Sequence, residues 1–202
     1  GTGSVTFDKT APTVSSFVLG ASALKAGETT QVTLTFSEAV TGFASADDIT
    51  VVNGTLTVME TSDNVTWTGT FTPSVDTEET SNALTLSSDY TDLAGNAGPT
   101  ASTGTFTIDT LVPTLTTVVI ASDNATSTLA KVDDVITLTI TTSEAISEPV
   151  VTFQSGGAAI DDTSITYVDT SGSAGTAWTA AYTAAAGYTE GAVTYSIAFS
   201  DL

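Results

Sequence analysis

The stretch Phe7–Thr13, read FDKTAPT, returns as Ile108–Thr114, read IDTLVPT. Each copy runs an apolar residue, Asp, three spacers, Pro and Thr. Asp8 and Asp109 stand 101 positions apart, and so do Pro12 and Pro113. That interval is the length of one domain, so the sequence predicts a tandem array with this heptad as its joint. The Pro stiffens the joint and keeps the residue before it out of a helix. The Asp places a free carboxylate at the boundary.

Outward from the joint, period-2 segments recur, separated by Gly, Asn, Asp and Pro. In the first repeat they predict strand A at 14–19, B at 31–36, C at 49–52, D at 56–60, E at 65–72, F at 83–88 and G at 103–108. Asn53-Gly54, between C and D, is a two-residue hairpin signal. Seven short antiparallel strands in about 100 residues is the immunoglobulin-like pattern. Val32, Leu34 and Phe36 on B, Leu84 and Leu86 on F, and Trp67 and Phe71 on E are the expected core.

The second repeat predicts A at 115–120, B at 135–140, C at 150–154, D at 164–168, E at 177–183 and F at 192–199. SEAV at 37–40 returns as SEAI at 143–146, WTGTFT at 67–72 as WTAAYT at 178–183, and YTDL at 90–93 as FSDL at 199–202. The offsets of 106, 111 and 109 differ from 101 through changes in loop length, which loops tolerate. The expected fold is all-β: two tandem immunoglobulin-like antiparallel β-sandwiches, over 8–108 and 109–202, the second lacking its last strand.

Residues 1–7, GTGSVTF, resemble the GTFTI core of 103–108. They read as the last strand of a preceding repeat, and the chain as a piece of a longer array cut out of phase with its domains. Gly1–Phe7 of one molecule is then a candidate donor to the missing G position of another copy, a strand exchange. The plainer alternative is a loose leader or an A strand.

Charge narrows the partners. There are 23 acidic residues against three Lys and Arg, a formal net charge of −20. Three cations cannot pair 23 anions. Nucleic acid and anionic membrane are poor partners for such a surface, and no stretch is apolar enough for a membrane span. With 41% hydrophobic residues the chain is not of disordered composition. It has no Cys and no His, which removes disulfides, thiolate sites, the commonest general base and the usual transition-metal ligand. A bound metal must therefore be hard and held by oxygen, and calcium fits. The remaining acids lie at domain ends rather than in a cleft, so an enzyme is not expected.

In an immunoglobulin-like topology the start of A and the B–C, D–E and F–G loops share one pole. Asp8 precedes A, Glu38 opens B–C, Asp63 lies in D–E, and Asp92 and Asn96 lie in F–G. Asp109, Glu144, Asp169 and Asp201 hold corresponding places in the second repeat. Calcium takes six to eight oxygens from carboxylates, amides, carbonyls and water, so this convergence reads as a metal site. Asp63, Asp169, Asp47, Asp48, Asp133-Asp134 and Asp161-Asp162 read as solvated loop charge. Asp76, Glu78 and Glu79, in the E–F loop, read as a further ligand near Asp109 or as rim charge. Trp67 and Trp178 read as core.

TAPT after an Asp, SEAV after strand B and YTDLAGN after strand F together resemble the bacterial Ig-like repeats of giant RTX-type, type I-secreted adhesins of Gram-negative bacteria. The resemblance implies extender repeats at the bacterial cell surface, with neighbouring repeats of the same protein as partners and calcium stiffening their joints. It implies Asp8, Glu38, Asp92 and Asn96 as ligands at the first joint, and Asp109, Glu144 and Asp201 at the second. The second copy departs from the pattern, with Leu111-Val112 in place of Thr10-Ala11 and no AGN after FSDL. The alternative function is a module that binds sugar, ice or a host protein through a loop or a Thr-rich sheet face.

Overall fold

The computed structural model describes residues 3–160 and 162–202. Gly1, Thr2 and Asp161 lie outside these residues, as does the side chain of Asp162. The chain divides between Leu111 and Val112 into two compact units. Residues 3–13 carry no strand.

The first unit contains β1 (Val14–Leu19), β2 (Ala23–Lys25), β3 (Thr30–Phe36), β4 (Val40–Thr41), a single helical turn α1 (Ser45–Asp48), β5 (Ile49–Thr50), β6 (Gly54–Leu56) and β7 (Glu60–Thr61). It continues through β8 (Thr66–Pro73), β9 (Glu78–Asn82), β10 (Thr85–Leu86), β11 (Thr91–Asp92), β12 (Ala101–Ser102) and β13 (Phe106–Asp109). One sheet runs β1-β3-β8-β6, with β7 also on β8, which is the order A-B-E-D. Facing it are the shorter sets β12-β10-β5 and β2-β13-β9, and the pair β4-β11.

Alternation explains the long sheet. In β3 the residues Val32, Leu34 and Phe36 are buried, Thr33 and Thr35 between them are half-buried, and Gln31 before them is exposed. A strand that turns successive side chains to opposite faces can place all three against one core. Phe71, Leu84, Leu86, Phe106 and Ile108 close that core from the other elements. Phe71 meets Phe106 edge-on with ring centres 5.3 Å apart. Trp67 is half-buried and packs against the core through Phe43, at 4.8 Å.

The hairpin expected at Asn53-Gly54 does not form. Asn53 is left-handed, with φ 54, so the turn chemistry is present. However, β5 pairs with β10, whereas β6 and β7 pair with β8. The turn carries the chain from one sheet to the other. Gly54 is required there, because a Cβ would lie 2.4 Å from the Phe71 ring. Strand F shortens to β10, and part of the stretch read as the E–F loop is β9, which pairs with β13. β13 also pairs in parallel with β2 on its other side.

The second unit contains β14 (Leu115–Ser122), β15 (Val135–Thr142), β16 (Val150–Ser155), β17 (Ala158–Ala159), β18 (Thr166–Asp169), β19 (Ala177–Thr183) and β20 (Val193–Ala198). The sheet β14-β15-β19-β18 repeats the A-B-E-D order. The sheet β17-β16-β20 faces it. Ile136, Leu138 and Ile140 from β15, Val151 and Phe153 from β16, and Ala180 and Tyr182 from β19 form the core between them.

Candidate metal centre

The FDKTAPT heptad is held by a reciprocal clasp. Thr13 N donates to Ser37 Oγ and Ser37 N donates to Thr13 O, each at 2.9 Å. This brings the start of β1 against the loop that carries Glu38. The second unit repeats the clasp, with Thr114 N to Ser143 Oγ and Ser143 N to Thr114 O, again at 2.9 Å. Sequence reasoning passed over both serines. The signal was there in the first letter of the repeated SEA.

The F–G loop is built around Asp92, which is 1% exposed. Its Oδ1 accepts from the backbone N–H of Ala94 and of Asn96, both at 2.8 Å. Its Oδ2 accepts from Asn96 Nδ2 at 2.7 Å. The Asn96 amide, together with these backbone donors, holds the Asp92 carboxyl below the usual carboxylate range by stabilising its charged form. The same amide nitrogen lies 3.3 Å from Thr10 O and 3.5 Å from Asp8 O. Asn96 therefore ties the F–G loop to the heptad and sets two backbone carbonyls beside Asp92. Asp8 accepts from Thr10 N at 2.9 Å through Oδ1, which turns the chain at the heptad.

Asp8, Glu38 and Asp92 converge. One carboxylate oxygen of each lies within 4.8 Å of the others. Asp8 is exposed, Glu38 half-buried and Asp92 buried. None of the three is ion-paired among the described residues. Three anionic groups in so small a volume repel one another unless a cation lies among them. The donor set is all oxygen, and each carboxylate oxygen has two lone pairs, so Asp92 Oδ2 retains one beyond its bond to Asn96. These residues fit a hard cation such as calcium.

The second predicted set is distributed over the chain as follows. Asp109 ends β13 in the first unit, opposite Glu78 of β9 and beside Lys25 of β2. Its Oδ1 is buried and has no hydrogen-bond partner. Glu144 and Asp201 belong to the second unit, and both are half-buried. Glu144 follows the Ser143 clasp and its backbone carbonyl accepts from Thr142 Oγ1. Asp201 forms an isolated bridge with Ile146.

Two acids read as solvated are buried. Asp48 is 5% exposed, and its carboxylate accepts from Ala44 N at 2.7 Å and Ser87 Oγ at 3.3 Å. Asp134 is 6% exposed and is ion-paired with Lys131 at 2.6 Å. It also accepts from Asn124 Nδ2 and Lys131 N. The Lys131 ammonium, with those donors, lowers its pKa from 3.8 to about 2. Asp63 and Asp169 are loop organisers, accepting from the backbone of Val65 and Thr66 and of Ser171 and Gly175 respectively.

A family model for the bacterial Ig-like domain matches residues 8–108, half of the chain. Comparison with curated proteins gives no match. The matched span opens on Asp8 of the candidate site, carries Glu38 and Asp92 within it, and contains the complete β1–β13 sandwich apart from Asp109. On that match the chain belongs to the bacterial Ig-like domain family.

Proposed function

We propose that this chain supplies extender repeats of a bacterial cell-surface adhesin of the RTX type, and that calcium stiffens the joints between them. A bacterial Ig-like domain fits a structural or adhesin-type repeat module. The observation that supports the calcium reading is the convergence of Asp8, Glu38 and Asp92, from three separate stretches of chain, to within 4.8 Å. Bridging Asp8 to Glu38 and Asp92 fixes the heptad against the body of the domain and removes its freedom to swing. By the repeat correspondences, Asp109, Glu144 and Asp201 are the same set one repeat later.

Extracellular calcium modules bind with Kd of about 10⁻⁴–10⁻³ M, so an extracellular fluid loads them and a cytosol does not. Binding at a hundred times Kd stabilises the folded form by about 2.7 kcal/mol. Isothermal titration of the chain with calcium is expected to show binding in that range. Asp8→Ala and Glu38→Gln are expected to weaken it at least tenfold, while leaving the β1–β13 fold intact because both residues lie at the rim of the domain. Unchanged titration curves in both variants would sink the reading.

A further inference from the structure

The F–G loop aims one side chain at the heptad, and that side chain is neutral. The turn 92–96 is closed by its own backbone, with Asp92 N donating to Asn96 O at 3.0 Å and Gly95 N to Asp92 O at 3.3 Å. Gly95 has φ +94, a left-handed conformation that an L side chain resists. Thr91 bridges Ala97 just outside the turn. The main chain therefore sets the direction in which Asn96 leaves it.

At the end of that side chain the amide nitrogen meets three acceptors. One N–H goes to Asp92 Oδ2 at 2.7 Å. The other is left for Thr10 O at 3.3 Å and Asp8 O at 3.5 Å. A side-chain amide has two N–H donors, and both are engaged. The opposite orientation would set the amide oxygen against a carboxylate and two carbonyl oxygens with no proton between them. A metal ligand at this position would have to present that oxygen. The far end of the heptad is held without charge as well. Pro12 is buried, and Thr13 sits in the Ser37 clasp. Proline suits a buried place in a joint because it brings no N–H to be satisfied.

We propose that Asn96 is a neutral latch, a positioning residue that docks residues 8–10 on the F–G loop before any cation arrives, and not a ligand to that cation. The family resemblance implies a ligand at 96, whereas the orientation of the amide favours the latch. Its bonds to Thr10 and Asp8 are long and therefore weak, so the latch sets where the heptad lies and a cation locks it there. One carboxylate oxygen of Asp8 already lies within 4.8 Å of those of Glu38 and Asp92. A site formed in advance loses less binding energy to ordering the chain. The latch itself needs no cation, and only its effect on affinity rests on the calcium reading.

NMR relaxation of the full chain in chelator, followed by calcium titration, tests it. In chelator the wild-type backbone at 8–10 is expected to be near the rigid range, with order parameters of about 0.85. Asn96→Ala is expected to move it toward the flexible range, below about 0.6, while Val32 and Leu34 of β3 stay unchanged. The same variant is expected to weaken calcium binding about three- to tenfold, the equivalent of one ordinary hydrogen bond. Asn96→Asp removes both N–H donors and adds a carboxylate. It is expected to loosen 8–10 in the same way and to bind calcium no more tightly than the wild type. Wild-type residues 8–10 already flexible in chelator, or unmoved by Asn96→Ala, would overturn the latch. Tighter calcium binding by Asn96→Asp would make the position a ligand's and would overturn it too. If the wild-type chain binds no calcium, the calcium reading fails, and the order parameters alone decide for or against the latch.

Discussion

The two units share one sheet and differ in the other. Both build A-B-E-D, β1-β3-β8-β6 and β14-β15-β19-β18, with long strands at A, B and E and a short one at D. Opposite it, the first unit seats β13 against Phe71, whereas the second leaves a groove against Tyr182. The shared sheet is dictated by local pattern, since its A, B and E strands each carry enough residues to fix a face. The second sheet is assembled from strands of two to six residues, whose pairing depends on what else is present to pack on them. A sandwich can thus keep one sheet unchanged while the other varies in its strands.

Core truncation breaks this comparison most strongly. Phe71→Ala is expected to cost the first unit about 3–5 kcal/mol, because it empties a fully buried position between Gly54 and Phe106. Tyr182→Ala is expected to cost the second unit less, about 2–4 kcal/mol, because removing the ring also removes a buried hydroxyl that has no hydrogen-bond partner. Each unit holds a single Trp, Trp67 or Trp178. Denaturant unfolding followed by fluorescence of single-Trp versions reads the units separately. Equal losses would mean that the unpartnered hydroxyl of Tyr182 carries no penalty.

A smaller effect sharpens the likeness between the units. Ser37→Ala and Ser143→Ala each remove the acceptor for one backbone N–H, of Thr13 or Thr114. Each is expected to cost about 0.5–1.5 kcal/mol in its own unit and nothing in the other. In the first unit Ser37→Ala is also expected to weaken calcium binding, since it loosens the heptad that carries Asp8. Two variants of the same residue type with unlike costs would show that the clasps are alike in geometry only.

The smallest effect concerns acid. Asp134 is held by a cation and Asp92 by neutral donors, and both pKa values are lowered. A carboxylate with a lowered pKa adds stability that is complete above its unfolded value and lost as pH falls through its folded one. For Asp134 that window runs from 3.8 down to about 2. Lys131→Met is expected to flatten the acid dependence of the second unit and leave that of the first unchanged. Added salt is expected to act in the same direction on the second unit, by screening the Lys131 pair. The measurement is the denaturant midpoint of each Trp signal from pH 5 to about 2.

Much of the fold was legible because A, B and E are long and B alternates cleanly. Val14–Leu19 and Ala177–Thr183 form strands at the positions their patterns predict. The Asn53-Gly54 turn was legible as a bend but not as a crossover, because turn chemistry fixes local dihedrals and says nothing about which strand lies across. β2 and β9 were missed because three and five residues carry too little pattern, and their partner β13 is remote in sequence. Asp48 was misread because its burial depends on Ser87, 39 residues away. The Asp134 pair was open to a closer reading, since Lys131 stands only three residues before it. The meeting of Asp8, Glu38 and Asp92 was foreseeable from loop placement alone, because an alternating strand order decides which loops share a pole.

The parallel pairing of β2 with β13 has a mechanical consequence. Residues 23–25 and 107–109 lie side by side and run in the same direction, near opposite ends of the domain's chain. Tension applied through the two ends pulls these strands in opposite directions along their length. Their hydrogen bonds are then loaded together, in shear, and cannot open one at a time like a zipper. A repeat with this arrangement resists being drawn out until the whole patch gives way at once.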